Sequence, residues 1–180
     1  MKANFTGSYF KIQSNALKNS LDEAKNNILT ISKEKEFQNY ITNNKIDNGD
    51  LKNIFYSYVS SKNEILQLRY IDINGVEKVR IQKYDNKNSA EIIFGKKLQN
   101  KKEEVYFTKT INLEKNQFFI SNFNLNKELG KIQIPIQPTL RISTPIFDRN
   151  NLKKGILILN INMNKFVKIF KYFENLEASL

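Results

Sequence analysis

A chain of 180 residues, 40% of them hydrophobic, is long enough to bury one proper core, and nothing in its length requires a second domain. With no Cys and no His it lacks the parts of a disulfide framework, a thiolate metal site or an imidazole base, which makes hydrolytic and metal chemistry improbable. Its net charge of +11 comes almost wholly from Lys spread along the chain, whereas a nucleic-acid footprint should cluster and include Arg and stacking aromatics, so no nucleic-acid partner is expected.

No apolar run approaches the roughly 18 residues of a membrane span, and residues 1–13 lack the basic start and apolar middle of a signal peptide. The expectation is a soluble piece, and its cysteine-free composition suits an oxidising compartment. The triplet Ser14-Asn15-Ala16 has the look of a cloning remnant, so residues 1–16 are expected to be partly vector-derived. From Ala16 to about Asn43 the apolar positions Leu17, Leu21, Ala24, Ile28 and Ile31 are spaced by fours and threes, and Phe37, Tyr40 and Ile41 continue the pattern. That spacing predicts one long helix, spanning about 17–45. Turn residues from Asn43 to Gly49 end it. Asp50 then caps a second helix with Leu51, Ile54, Phe55, Tyr58 and Val59 on one face.

Glu64 to Asp72 and Val76 to Lys83 read as two strands about an Asn74-Gly75 turn. With those two residues as the loop, Tyr70 lies opposite Val79, Leu68 opposite Ile81, and Arg69 opposite Arg80. Like charges directly opposed destabilise a strand pair, so something negative is required beside them: Glu77, Glu91, another carboxylate or a bound anion. A three-residue loop would put the two arginines on different faces. After the polar stretch Asp85 to Ser89 comes a short strand, Ala90 to Phe94, then a long irregular connection through Leu98 to Glu114. A connection of that kind inside a compact domain is more often functional than decorative.

Gln117 to Phe123 reads as a strand, and Leu125 to Pro138 as a loop with short extended segments. Leu140 to Phe147 alternates two side-chain sets. Gly155 to Ile161 is almost uninterrupted Ile and Leu, as expected of a central strand covered on both faces. The turn Asp148-Arg149-Asn150-Asn151 joins these two into the hairpin at the centre of the sheet. Phe166, Val167, Ile169, Phe170 and Phe173 outline a final amphipathic helix.

Three blocks, LRYIDINGVEKVRI (Leu68 to Ile81), LQNKKEEVYF (Leu98 to Phe107) and FISNFNLNKELGKIQIPIQPTLRISTPIFDRNNLKKGILILNI (Phe119 to Ile161), resemble in order the membrane-distal Cache (PDC, PAS-like) domain of bacterial double-Cache sensors. Such modules occur on histidine kinases, diguanylate cyclases and chemoreceptors. The resemblance implies an α+β fold: a central antiparallel sheet of about five strands, a long N-terminal helix, a C-terminal helix, and a pocket roofed by the segment between the second and third strands. It further implies a periplasmic, extracytoplasmic sensing domain of an inner-membrane signal-transduction protein. A small solute would enter the pocket, and a helix movement would cross the membrane through segments absent from this chain. Residues 1–180 then form a single Cache domain, expected to pair as a homodimer along its N-terminal helix. A second, membrane-proximal Cache domain has no room in 180 residues, so the chain is either a piece of a larger receptor or a single-Cache unit.

The chain has only four arginines, and Arg69, Arg80 and Arg141 fall in predicted strands although Lys is the default cation. A guanidinium on a rigid strand presents a planar donor pair suited to carboxylate, so these three are candidates for binding a ligand, with an anionic group as the expected target. Their plainer reading is a scaffold ion pair. Ser143 shares a strand face with Arg141. Tyr106 and Phe107 fall in the segment that the resemblance assigns to the roof, where aromatic walls enclose a small molecule, although aromatics also simply fill cores. Asp72 and Asp148 serve turn geometry. No carboxylate pair, nucleophile with a base, or Gly-rich phosphate loop assembles, so no enzyme, metal or cofactor is expected. The rival reading is a protein-interaction or dimerisation module whose pocket is filled by its own side chains.

Overall fold

Two side-chain sets alternate along the main strands, and the sheet they build has one apolar and one polar face. The computed structural model describes residues 2–43, 49–84, 89–128, 131–132, 134, 136–164 and 166–168. Helices α1 (Lys2–Lys33), α2 (Lys35–Thr42) and α3 (Gly49–Ser61) precede strands β1 (Ile65–Asp72), β2 (Glu77–Gln82) and β3 (Glu91–Ile93). A 3-10 turn (Gly95–Lys97) and helix α4 (Val105–Ile111) follow. The chain continues through β4 (Phe119–Ile120), β5 (Asn124–Leu125), β6 (Lys127–Glu128), β7 (Lys131–Ile132), β8 (Pro138–Phe147) and β9 (Lys153–Asn162). The sheet runs β3-β2-β1-β9-β8-β4, with β5 also on β8, while β6 and β7 pair only with each other. Every pairing is antiparallel. This is the expected α+β architecture, with β9 in the middle of the sheet, flanked by β1 and β8.

Leu68, Tyr70, Val79, Ile81, Ile142, Leu157 and Leu159 pack as one core with Ile28 and Ile31 of α1, Phe37 and Ile41 of α2, and Leu51, Phe55 and Val59 of α3. Phe37 is fully buried and meets Tyr70 edge-on at 5.2 Å and Phe55 at 5.9 Å. By the period of two, the opposite sheet face carries Gln67 and Arg69 from β1, Arg80 and Gln82 from β2, Arg141 and Ser143 from β8, and Asn160 from β9. All seven are buried. A smaller apolar cluster of Ile71, Ile156, Ile158, Tyr106 and Phe107 seats α4 on that face.

The first helix is not continuous as its spacing predicts. It breaks at Glu34, whose extended backbone (φ −55°, ψ 137°) separates α1 from α2. The Gln38 side-chain amide donates to the Ser32 carbonyl at 2.7 Å and to the Phe147 carbonyl at 3.2 Å, so the acceptor freed at the break is satisfied. The bend lets α2 turn Phe37 and Ile41 into the core. Asp50 lies inside the first turn of α3 rather than at its cap. The expected strand Gln117 to Phe123 shrinks to two residues, and the irregular connection contains a helix, α4. Asn164 and residues 166–168 are helical, while Ile169, Phe170 and Phe173 of the expected final helix lie outside the described residues, as do 44–48 and 85–88.

The β1–β2 turn shows how the polar face is assembled. The Asp72 amide donates to the Val76 carbonyl at 2.9 Å, which makes the loop three residues, Ile73 to Gly75, rather than two. The predicted register nevertheless holds, with Tyr70 opposite Val79 and Arg69 opposite Arg80, because a bulge at Lys78 takes up the extra residue. The bulge also reverses the parity of Glu77. In an unbroken ladder Glu77 would share the helix-covered face with Val79; displaced by one position, it joins the arginines. The β8–β9 turn repeats this construction, with Asp148 N–H on the Leu152 carbonyl at 2.9 Å and the register shift at Lys154. In both turns the Asp carboxylate accepts two backbone N–H groups at 2.9 Å and pairs with the bulged Lys, at 3.2 Å for Asp72 and 3.1 Å for Asp148. The two Asp residues thus serve turn geometry, as their positions predict.

Candidate functional site

Between α4 and the polar sheet face lies a cavity of about 700 Å³. Strands β1 and β8 supply Arg69 and Arg141, α4 supplies Val105 and Tyr106, the chain before α4 supplies Lys101 and Glu104, and residues 119–122 and 124–126 with Ile132 complete the wall.

The floor is a hydrogen-bonded network. Arg69 Nη1 donates to Glu77 Oε1 at 3.2 Å and to the Tyr106 hydroxyl at 3.3 Å, and its Nη2 donates to Asn160 Oδ1 at 3.1 Å. Asn160 Nδ2 donates in turn to Gln67 Oε1 at 2.9 Å and to Asn126 Oδ1 at 3.3 Å. Arg141 donates to Asn124 Oδ1 at 2.5 Å and to Asn126 Oδ1 at 2.9 Å. Both guanidiniums flank the Tyr106 ring, with their central carbons 5.3 Å (Arg69) and 5.7 Å (Arg141) from its centroid. Glu77 is fully enclosed and answers the opposed arginines: its second oxygen lies 3.6 Å from Arg80 Nη1 and accepts the Gln99 amide at 3.0 Å. The carboxylate demanded by the register is therefore Glu77.

Tyr106 contributes more than a wall. Burial pushes its hydroxyl above the ordinary phenol range, while the Arg69 charge draws it partly back. Its oxygen accepts from Arg69, and no acceptor for its own proton stands among the described residues. It is a neutral donor at the cavity wall.

Of the six residues singled out by sequence, Arg69, Tyr106 and Arg141 line the cavity and are brought together around one ring. Arg80, Phe107 and Ser143 are not among its lining residues. Arg80 is held by Glu77 and donates to Gln82 Oε1 at 2.6 Å. Phe107 packs in the small apolar cluster under α4. Ser143 bonds Thr110 Oγ1 at 2.6 Å, and Thr110 donates to the Tyr106 carbonyl at 2.5 Å, so Ser143 fastens α4 to β8. Sequence reasoning missed Lys101, Asn124, Asn126 and Asn160. Asn160 had a signal, since it is the one polar residue in the aliphatic run Ile156 to Ile161. Lys101 and the other two had none in a chain so rich in Lys and Asn. Among the described residues no group of three or more Asp or Glu side chains could hold a metal ion, and no helix is long and apolar enough to cross a membrane.

No curated protein matches the chain in sequence. Among solved structures it is similar to a domain from Vibrio parahaemolyticus assigned to the sensory box/GGDEF family, with 24% identity and a TM-score of 0.71 over 84% of this chain and 58% of that one. It is also similar to the ligand-binding domain of Campylobacter jejuni chemoreceptor Tlp3, solved in complex with L-valine, with 19% identity and a TM-score of 0.62 over 86% and 57% of the two chains. The chain thus spans a little over half the length of these structures. The profile described as bacterial histidine kinase, sensor domain, matches residues 15–179. With that match over nearly its whole length and a Cache-type fold, the chain belongs to the sensor-domain family of bacterial histidine kinases.

Proposed function

We propose that this sensor domain binds a small solute in the cavity between α4 and the polar sheet face, outside the cytoplasm, and catalyses nothing. The observation that carries the reading is the cavity itself. A volume of about 700 Å³ bounded by buried guanidiniums, a phenol donor and apolar side chains is the combination that small-molecule sites use. The similar Tlp3 domain, solved with L-valine, supports the same use of the fold. In the whole receptor α1 would pair with a second copy and pass its movement through the membrane to an output domain. Leu17, Leu21 and Ile28 pack against this chain's own core, which speaks against a module built only for dimerisation along that seam.

The test is a thermal-shift screen of metabolites on wild type and on Arg141→Ala. At a concentration 100 times its dissociation constant a true ligand stabilises the fold by about 2.7 kcal/mol. Arg141→Ala should lose most of that shift while remaining folded. A broad panel that shifts neither protein would refute the reading.

A further inference from the structure

The joint between α1 and α2 is not dictated by its own residues. Lys33, Glu34, Lys35 and Glu36 are all good helix formers, and neither Gly nor Pro stands among them. Glu34 nevertheless leaves the helix and makes no side-chain cap bond. Contacts from elsewhere hold the break: the burial of Phe37 in the core, and the side-chain amide of Gln38. In an unbroken helix the Ser32 carbonyl would accept the Glu36 N–H. Instead it accepts Gln38 Nε2 at 2.7 Å, and the same nitrogen donates to the Phe147 carbonyl at 3.2 Å. Gln38 thereby ties the end of α1 to the end of β8.

The end of β8 is in turn tied to α4. Phe147 pairs with Lys153 across the β8–β9 turn, and Lys153 Nζ lies 5.4 Å from the centroid of the Phe147 ring. The same ammonium donates to the Ile111 carbonyl at 2.7 Å and the Leu113 carbonyl at 2.9 Å. Lys115, just past α4, reaches the turn from the other side: its Nζ donates to Asn151 Oδ1 at 3.1 Å and lies 5.9 Å from the Phe147 ring centroid. With seven residues, α4 is about 10 Å long, short enough for its two ends to shift together. Its first turn puts Val105 and Tyr106 on the cavity, and its last carbonyl rests on Lys153.

We propose that the β8–β9 turn is a relay: displacement of α4 by an occupant of the cavity passes through Lys153 and Phe147 to Gln38 and changes the angle at the α1–α2 joint. This rests on the reading that the cavity receives a solute, and it adds the route by which α1 would sense occupancy. The joint suits the part. Its local sequence favours a helix, so the bend depends on distant contacts, and weakening the Gln38 tie shifts the balance toward the straight form.

Native-state hydrogen exchange, read amide by amide on solute-free protein, tests the relay from both ends, because coupling between two sites is reciprocal. Lys153→Met removes the tie to α4 and should speed exchange of the Glu34 and Gln38 amides, which bond the Ile31 and Glu34 carbonyls, by about fivefold or more. Gln38→Ala should speed exchange of the Thr108 and Leu113 amides, which bond the Glu104 and Thr110 carbonyls, by a similar factor. Each change is taken relative to the slowest amides of β9, which report unfolding of the whole domain. If Lys153→Met does not fold, Ser143→Ala loosens α4 at Thr110 instead, and the same response at Gln38 is required. A response confined to the altered end in either direction overturns the relay. No solute is present in these measurements, so that result leaves the solute site standing, and the thermal-shift screen tests the site on its own.

Discussion

Glu77 is the residue on which the polar face turns. Two guanidiniums stand opposite each other on neighbouring strands, both almost fully buried, and one enclosed carboxylate lies against both. Removing one partner of a buried ionic cluster costs more than the cluster contributes, because the remaining charges stay in the low dielectric without compensation. Glu77→Gln should therefore destabilise the domain by about 3–5 kcal/mol in urea unfolding. A loss below about 1 kcal/mol would mean that water or another group compensates the arginines. At this scale much was legible. The opposed pair and its need for a carboxylate followed from the Asn74-Gly75 hairpin alone, and the aliphatic β9 announced itself as a central strand. Asn124 and Asn126 were not legible, since their roles depend on how residues 119–126 fold back onto β8, and one Asn among many carries no mark of that.

At the scale of elements the turn-and-bulge unit sets which side chains reach the α4 side of the sheet. Asp72 and Asp148 close two loops of the same construction, and each bulge brings one side chain to the α4 side. In the first turn that residue is Glu77. In the second it is Lys153, whose ammonium donates to the Ile111 carbonyl at 2.7 Å and the Leu113 carbonyl at 2.9 Å, closing the C-terminal end of α4. A two-residue loop and a three-residue loop with a bulge give the same register further along, so the sequence pattern alone could not separate them. The glycines at these turns are constrained. Gly75 has φ +83°, and a Cβ there would lie 2.6 Å from the Lys102 Cβ; Gly155 has φ +147°, and a Cβ there would lie 2.1 Å from the Ile71 carbonyl oxygen. Ala at either position should cost more than about 1 kcal/mol, with Gly155→Ala the worse because it meets the backbone of β1. Equal stability of the Gly155→Ala variant in chemical denaturation would contradict that close approach.

The same turn carries a pH signature. Backbone N–H groups, with the Leu152 amide foremost, and Lys154 hold the Asp148 carboxyl below the usual carboxylate range. A carboxyl whose affinity for protons is lower in the folded state stabilises fully above its unfolded pKa of about 4, and that contribution fades as pH falls through and below it. Wild type should accordingly lose more stability between pH 6 and acid than Asp148→Asn does. Parallel stability curves for the two proteins would remove Asp148 from this role.

Across the whole molecule the two faces of one sheet divide the work. Helices α1 to α3 cover the apolar face through Ile28, Phe37, Phe55 and Val59, and α4 with residues 119–126 encloses the cavity on the other. A helix of 32 residues is about 48 Å long, enough to extend well past the sheet it packs on. Its fold-level outline was readable from apolar spacing, but the break at Glu34 was not, because Phe37, Tyr40 and Ile41 resume a helical spacing after a gap of six from Ile31, and a gap of that size does not by itself mark a bend. α4 escaped detection for a related reason: at seven residues it is too short to show a period, and it is held by tertiary contacts such as Thr110 with Ser143.

The central claim is that the cavity over the polar face, and not the helical face, receives a solute. It is tested most directly by mapping amide chemical-shift changes in the nuclear magnetic resonance spectrum as the solute that gives the largest thermal shift is added. The largest changes are expected in residues 101–107, 119–126 and at Arg141, with weaker changes reaching β9. Changes confined to α1 and α3, with the cavity residues unmoved, would contradict it.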